Sequence, residues 1–212
     1  MTLELINMCV FNQGGALFDP IDLTIEPGEI ATIMGSSGCG KSTLLSAVAG
    51  SLDPVFSLSG TILLHSKEMI RLPMEKRNIG ILFQDDLLFP NMSIGANLSF
   101  ALAASIPAQK RRVMVGEALD KAGLSGYENR DPASLSGGQK ARVSLVRSLL
   151  AQPAALLLDE PFSKLDQTLK QRIRTFVFSQ IRQMRIPALL VTHDPSDCPV
   201  NGKIINLVRK EG

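Results

Sequence analysis

The sequence predicts an α/β fold in which helices cover a parallel sheet and a helical segment is inserted between its strands. Three observations carry this. The short apolar runs Ile30–Met34, Ala155–Leu158 and Ala188–Val191 fit strands buried on both faces. Between the second and third, Leu169, Ile173, Phe176, Val177, Ile181 and Met184 recur at steps of three and four, the period of an amphipathic helix. From about Ser93 to Ala151 the patterning is mostly helical, punctuated at Pro107, Gly123, Gly126 and Pro132. Strand, helix, strand in this order pairs the strands in parallel.

Along the chain, Ile21, Leu23 and Ile25 alternate with Asp22, Thr24 and Glu26, which predicts a strand with one wet face. Pro27-Gly28 turns the chain into the strand at Ile30–Met34, a Gly-rich loop runs from Gly35 to Gly40, and Lys41 to Gly50 is predicted helical. A last strand is expected over Ile204 to Val208. No repeat or flexible linker breaks the pattern, so one contiguous unit with a helical subdomain is expected.

Composition narrows the function classes. With 22 basic and 20 acidic residues the net charge is +2, no footprint for nucleic acid, and Lys110-Arg111-Arg112 reads as a solvated helix start. No run approaches the ~18–20 apolar residues of a membrane span, and Met1-Thr2-Leu3-Glu4 does not open a signal peptide. Cys9, Cys39 and Cys198 are an odd, scattered set, against a disulfide framework or a zinc site. The expectation is a cytosolic chain that reaches a membrane only through a partner.

Gly35-Ser36-Ser37-Gly38-Cys39-Gly40-Lys41-Ser42 matches the phosphate-loop pattern G-x-x-x-x-G-K-[ST], between a predicted strand and a predicted helix. Glycines let backbone N–H groups converge on phosphate oxygens, and the helix that follows points its positive end at them. Lys41 supplies charge near the outer phosphates, and the Ser42 hydroxyl can ligate Mg²⁺. Cys39 reads as a small residue tolerated beside the phosphates in preference to a redox brake. Leu156-Leu157-Leu158-Asp159-Glu160 sets two carboxylates at a strand's carboxyl end, where ligands bind in α/β sheets. Asp159 is assigned to the metal and Glu160 to the attacking water as general base. Val191-Thr192-His193-Asp194 closes another apolar strand at the same expected edge, placing His193 near the γ-phosphate; His65, in a polar stretch, receives no role.

Leu135-Ser136-Gly137-Gly138-Gln139 resembles the signature of ABC ATPases and stands before the carboxylate strand as it does there. Ser136 and two glycines opening a helix make a second anion-binding helix start by their own physics. The resemblance implies a P-loop NTPase with a RecA-like parallel core, an N-terminal antiparallel β subdomain and an inserted helical subdomain. It implies a single ABC ATPase domain over 1–212, with 1–89 and 152–212 as the α/β core and about 90–151 as the helical part. It implies ATP and Mg²⁺ as cofactors, with Ser136, Gly137, Gly138 and Gln139 of one copy closing on ATP held by the loop of another. Thr43 joins the loop residues in the nucleotide site. Phe83-Gln84-Asp85 resembles the Q-loop, so Gln84 is expected on Mg²⁺. Ser163-Lys164-Leu165-Asp166 resembles the D-loop, where Lys164 departs from the usual Ala and Asp166 is counted in the nucleotide site. His193 falls on the switch histidine. Phe11 is the candidate for stacking on adenine, with Phe18 its rival.

The stretch from Gln84 to Asn97, with Pro73-Met74-Glu75-Lys76-Arg77 upstream, is similar to bacterial importer subunits of the sulfate, maltose and thiamine type. The implied partners are permease subunits docked through a coupling helix, a second copy of the chain, and a periplasmic binding protein indirectly, with the chain peripheral on the inner face of the inner membrane. Leu87, Leu88 and Phe89 are then expected as exposed apolar contacts. The regulatory β-domain of many such relatives is not expected after Gly212. A multi-subunit exporter and a soluble iron–sulfur-assembly ATPase are the alternatives.

Overall fold

The computed structural model describes residues 2–83, 88–163 and 165–210. In chain order the first strands are β1 (Leu3–Asn12), β2 (Gly15–Ala16), β3 (Ile21–Ile25) and β4 (Ile30–Met34), followed by helix α1 (Lys41–Ala49). Then come β5 (Ser57–Leu64), β6 (Lys67–Glu68), β7 (Ile79–Leu82) and the helices α2 (Ile94–Phe100), α3 (Ala108–Lys121) and α4 (Gly137–Leu150). The chain continues through β8 (Ala155–Asp159), α5 (Gln167–Met184), β9 (Ala188–Thr192) and β10 (Ile204–Asn206). These elements form two compact units: Met1–Ile81 with Ala154–Glu160 and Phe178–Gly212, and Leu82–Pro153 with Pro161–Val177.

The first unit carries two sheets. One is ordered β10-β4-β9-β8-β7, and within it β10, β4, β9 and β8 pair in parallel. Leu157, Leu189, Val191 and Ile33 are buried there, as sequences buried on both sheet faces must be. The other sheet is antiparallel, with β1 paired to β2, β3 and β5. Helix α1 buries Leu44, Leu45 and Val48 in a core shared with Leu3, Leu5, Val10 and Ile25 of the antiparallel sheet and Leu157 and Val191 of the parallel one. The mixed α/β architecture with its N-terminal antiparallel sheet is the fold expected.

Strand β1, the longest, was not anticipated. Its register shifts between Leu5 and Met8, at Asn7 with φ 50°. Buried positions therefore move from Leu3 and Leu5 to Met8 and Val10, and the bulge hides the period of two. Arg77 is a second surprise. Only 5% exposed, it donates Nη1 to the carbonyls of Ala47 (2.9 Å) and Val48 (2.8 Å), Nε to Leu72 O (2.9 Å) and Nη2 to Ile70 O (3.1 Å). A cation thus sits on the negative end of α1, favourable for the helix dipole, while burial pushes its pKa down. Gly50 at φ 86° ends the helix under that guanidinium.

The second unit packs α2, α3 and α4 around Ile94, Leu98, Val115, Leu119, Val143 and Val146. Leu88 packs against this cluster and is not the exposed contact expected of it, because its neighbours here are core side chains. Phe89 is exposed, edge-on to Phe100 at 5.1 Å with the Arg147 guanidinium 5.3 Å from its ring. Leu87 lies outside the described residues.

Candidate functional site

In the first unit the loop between β4 and α1 forms around its own lysine. Lys41 is buried, and Nζ donates to Gly35 O at 2.8 Å and Ser36 O at 2.9 Å. Gly40, the N-cap of α1, takes φ 103° with the Phe18 ring about where a side chain would go, 3.1 Å from an added Cβ. The left-handed φ calls for glycine, and the ring leaves little room for a side chain. Ser36, Ser37, Gly38 and Ser42 are exposed, Thr43 is half-buried, and no acid occupies the first turn of α1. The open, acid-free helix start is what an anion requires. Cys39 is turned inward, 1% exposed, with its sulfur filling the space beside Gly35. It serves the loop as packing.

Asp159, the last residue of β8, accepts a hydrogen bond from Ser42 Oγ at 3.2 Å. Burial pushes its carboxyl pKa up, the Ser42 hydrogen bond pulls it down, Glu160 raises it further and Lys41 lowers it. Glu160 follows at φ 44°, an uncommon conformation for a residue with a side chain, and its N–H donates to Val191 O at 2.9 Å. This turn aims its carboxylate at His193, whose Nδ1 lies 3.0 Å from Oε1. Ser42 and Asp159, and Glu160 and His193, each distant in sequence, are thus linked in pairs at the carboxyl ends of strands of the parallel sheet.

His193 is braced by residues that sequence reasoning passed over. Buried Thr192 donates Oγ1 to Asp197 Oδ2 at 3.0 Å and accepts from Asp194 N–H at 3.0 Å, while Asp194 caps the next turn through Ser196 N–H. The available signal was an Asp four places after His193 in a polar turn. Phe18 is fully buried and packs under Gly40, whereas Phe11 at the end of β1 is half-exposed.

In the second unit Ser136 is the N-cap of α4. Its side chain accepts from Gln139 N at 3.4 Å, and Gln139 Oε1 accepts from Ser136 N at 2.9 Å, a capping box. Gly138 is buried, and an added Cβ would meet a Leu169 methyl, which would have to move aside. Asp166 caps α5, accepting from Leu169 N at 2.9 Å. Gln84 and Lys164 lie outside the described residues.

Among the described residues no three His, Cys, Asp or Glu side chains gather as a metal site. The Ser42 hydroxyl and Asp159 carboxylate are instead two hard oxygens side by side, the donor set suited to Mg²⁺, which takes one or two protein ligands, water and substrate phosphates.

A strand–phosphate loop–helix unit with an acid pair at the end of a strand one place removed in the same sheet defines a P-loop ATPase. The chain belongs to the ABC transporter family, whose model matches residues 18–163. It is 48% identical over 193 residues to the uncharacterized ABC transporter ATP-binding protein YnjD of Escherichia coli, covering 91% of this chain and 89% of that one. It is 41% identical to the Fe(3+) ions import ATP-binding protein FbpC of Agrobacterium fabrum, covering 91% of this chain and 54% of the relative. Identity is also 41% to FbpC 1 of Rhizobium meliloti, over 97% and 58%. The chain therefore spans little more than half the length of these two iron-import relatives. Among the described residues no helix is long and apolar enough to cross a membrane.

Proposed function

We propose that this chain hydrolyses ATP to drive solute uptake as the ATPase subunit of a bacterial ABC importer, working as a pair of copies beneath a membrane permease. The observation that carries the chemistry is the contact between Glu160 and His193 beside the Ser42–Asp159 pair. Import is supported by the relatives named for Fe(3+) import. In this reading the whole chain is one ABC ATPase domain, with 1–89 and 152–212 as its α/β core and about 90–151 as the helical part. The permease and binding protein, not this chain, choose the cargo.

The residues act as follows. Backbone N–H groups from Gly35 to Ser42 and the start of α1, with Thr43, hold the phosphates of ATP, and Phe11 stacks on its adenine. Lys41 exchanges its carbonyl partners for phosphate oxygens. Ser42 and Asp159, with Gln84, would hold Mg²⁺, which neutralises charge on the outer phosphates. Glu160 accepts a proton from the attacking water. His193, with Nδ1 at 3.0 Å from Glu160 Oε1, fixes the carboxylate's direction. Ser136, Gly137, Gly138, Gln139 and Asp166 of the second copy complete the site. Hydrolysis then removes the phosphate that joins the copies, and the permease alternates its access.

Glu160→Gln tests this directly. The variant should bind ATP, run as a dimer on size-exclusion chromatography with ATP and turn over at least ~100-fold more slowly. Full turnover would remove Glu160 from the general-base role. Tagged protein drawn from detergent-solubilised membranes should bring a polytopic permease with it, and soluble assembly proteins alone would end the importer reading.

A further inference from the structure

Tyr127 is the only tyrosine of the chain, and its hydroxyl meets a signature side chain. Gln139 Nε2 donates to Tyr127 Oη at 3.1 Å while Gln139 Oε1 takes the Ser136 N–H at 2.9 Å. The second bond decides the first: a backbone N–H demands the amide oxygen, so the amide nitrogen must face the phenol, whose oxygen accepts. The tyrosine is itself anchored. Its ring packs on the apolar core of the helical unit, the Arg130 guanidinium lies 3.9 Å from the ring centre, and its N–H is taken by Leu124 O at 3.2 Å. On another side of the same helix start, Arg142 reaches from Gly138 O (3.4 Å) to Ala122 O (2.9 Å), tying α4 to the end of α3.

Phenylalanine would pack and stack as well as tyrosine at this position, so the hydroxyl matters through Gln139. The Ser136 Oγ contact to Gln139 N is long at 3.4 Å, whereas the bonds that orient the Gln139 amide are shorter. The box is therefore held chiefly by the glutamine side chain, and Ser136 Oγ can turn to a ligand at little cost.

We propose that Tyr127 is a positioning residue for the signature: its hydroxyl locks Gln139 in the capping box and presents Ser136 and the first N–H groups of α4 to the γ-phosphate of a nucleotide held by a second copy of the chain. This rests on the reading of the signature given above.

The test uses Tyr127→Phe in the Glu160→Gln protein, with two readouts: ATP-dependent dimerisation by light scattering, and binding of a fluorescent ATP analogue to dilute monomer. Losing one neutral hydrogen bond should weaken each signature contact about 5-fold. A dimer has two such contacts, so its dissociation constant should rise about 25-fold. Monomer affinity, set by the phosphate loop, should not move. With Gln139 already changed to Ala, Tyr127→Phe should add less than about 2-fold, because its route is gone. Unchanged dimerisation, or an equal loss in both backgrounds, overturns the proposal. Gly137→Asp separates the two ideas. It places a carboxylate at the helix start and should abolish dimerisation. If it dimerises normally, the signature reading itself fails; if it does not and Tyr127→Phe does, only the role of Tyr127 fails.

Discussion

Replacing Arg77 with methionine tests whether a buried cation holds the far end of the phosphate-loop helix. Methionine keeps the apolar stem and most of the volume, so no large cavity opens and the loss reports chiefly the hydrogen bonds. The guanidinium serves four carbonyls: Ala47, Val48, Ile70 and Leu72. Ala47 O keeps a second donor, the Gly50 N–H at 3.3 Å, so the cost falls on the other three. At about 1–2 kcal/mol for each orphaned carbonyl this gives ~3–6 kcal/mol. Relief from burying the charge, the same burial that lowers the pKa of Arg77, offsets part of it and leaves a net loss of about 3 kcal/mol. For a chain of this size each kcal/mol lowers Tm by ~2–4 °C, so thermal unfolding followed by circular dichroism should shift down by ~6–12 °C. Arg77→Lys, with three donors but no planar fork, should fall between. A loss under about 1 kcal/mol for the methionine variant would show that water serves those carbonyls equally well and refute the reasoning.

Asp159→Asn should raise Tm near neutral pH without nucleotide while removing Mg²⁺-dependent nucleotide binding. The folded carboxyl pKa is raised, so ionisation disfavours the folded state at all pH above that value. The cost fades as pH falls through the raised folded pKa towards the ordinary carboxylate value, and the gap between variant and parent should close there. A gap that widens on acidification would reverse the sign. Thiol labelling of the native protein should modify Cys198, which is half-buried, ahead of Cys9 and Cys39, both buried. For Cys9 burial also raises the thiol pKa, slowing reaction further. Rapid labelling of Cys39, checked by peptide mass spectrometry, would contradict its packing against Gly35.

Much of the site could be read in advance because its residues stand at the ends of strongly patterned elements. Ile30–Met34, Ala155–Leu158 and Ala188–Val191 are apolar runs with no competing period, and the loop, acids and histidine follow directly from them. What escaped depends on contacts across the chain. The bulge at Asn7 switches which face of β1 is buried, so alternation in the sequence misleads there. Arg77 is hidden by its type, since an arginine in a polar stretch ordinarily reads as surface. Leu88 followed a family pattern towards exposure, whereas its neighbours in the helical unit cover part of it. Tyr127 precedes Gln139 by twelve residues, and nothing local marks them as partners.

The meeting of Gly50 and Arg77 also limits how the chain can change over time. A methyl at Gly50 would stand 2.6 Å from Arg77 Nε, so any larger residue there forces the guanidinium off its carbonyls. The two positions are thus ordered in their substitution: residue 77 must shorten before residue 50 can grow, and even then φ 86° admits little beyond asparagine. Descendants of this sequence that keep the arginine inherit the glycine with it.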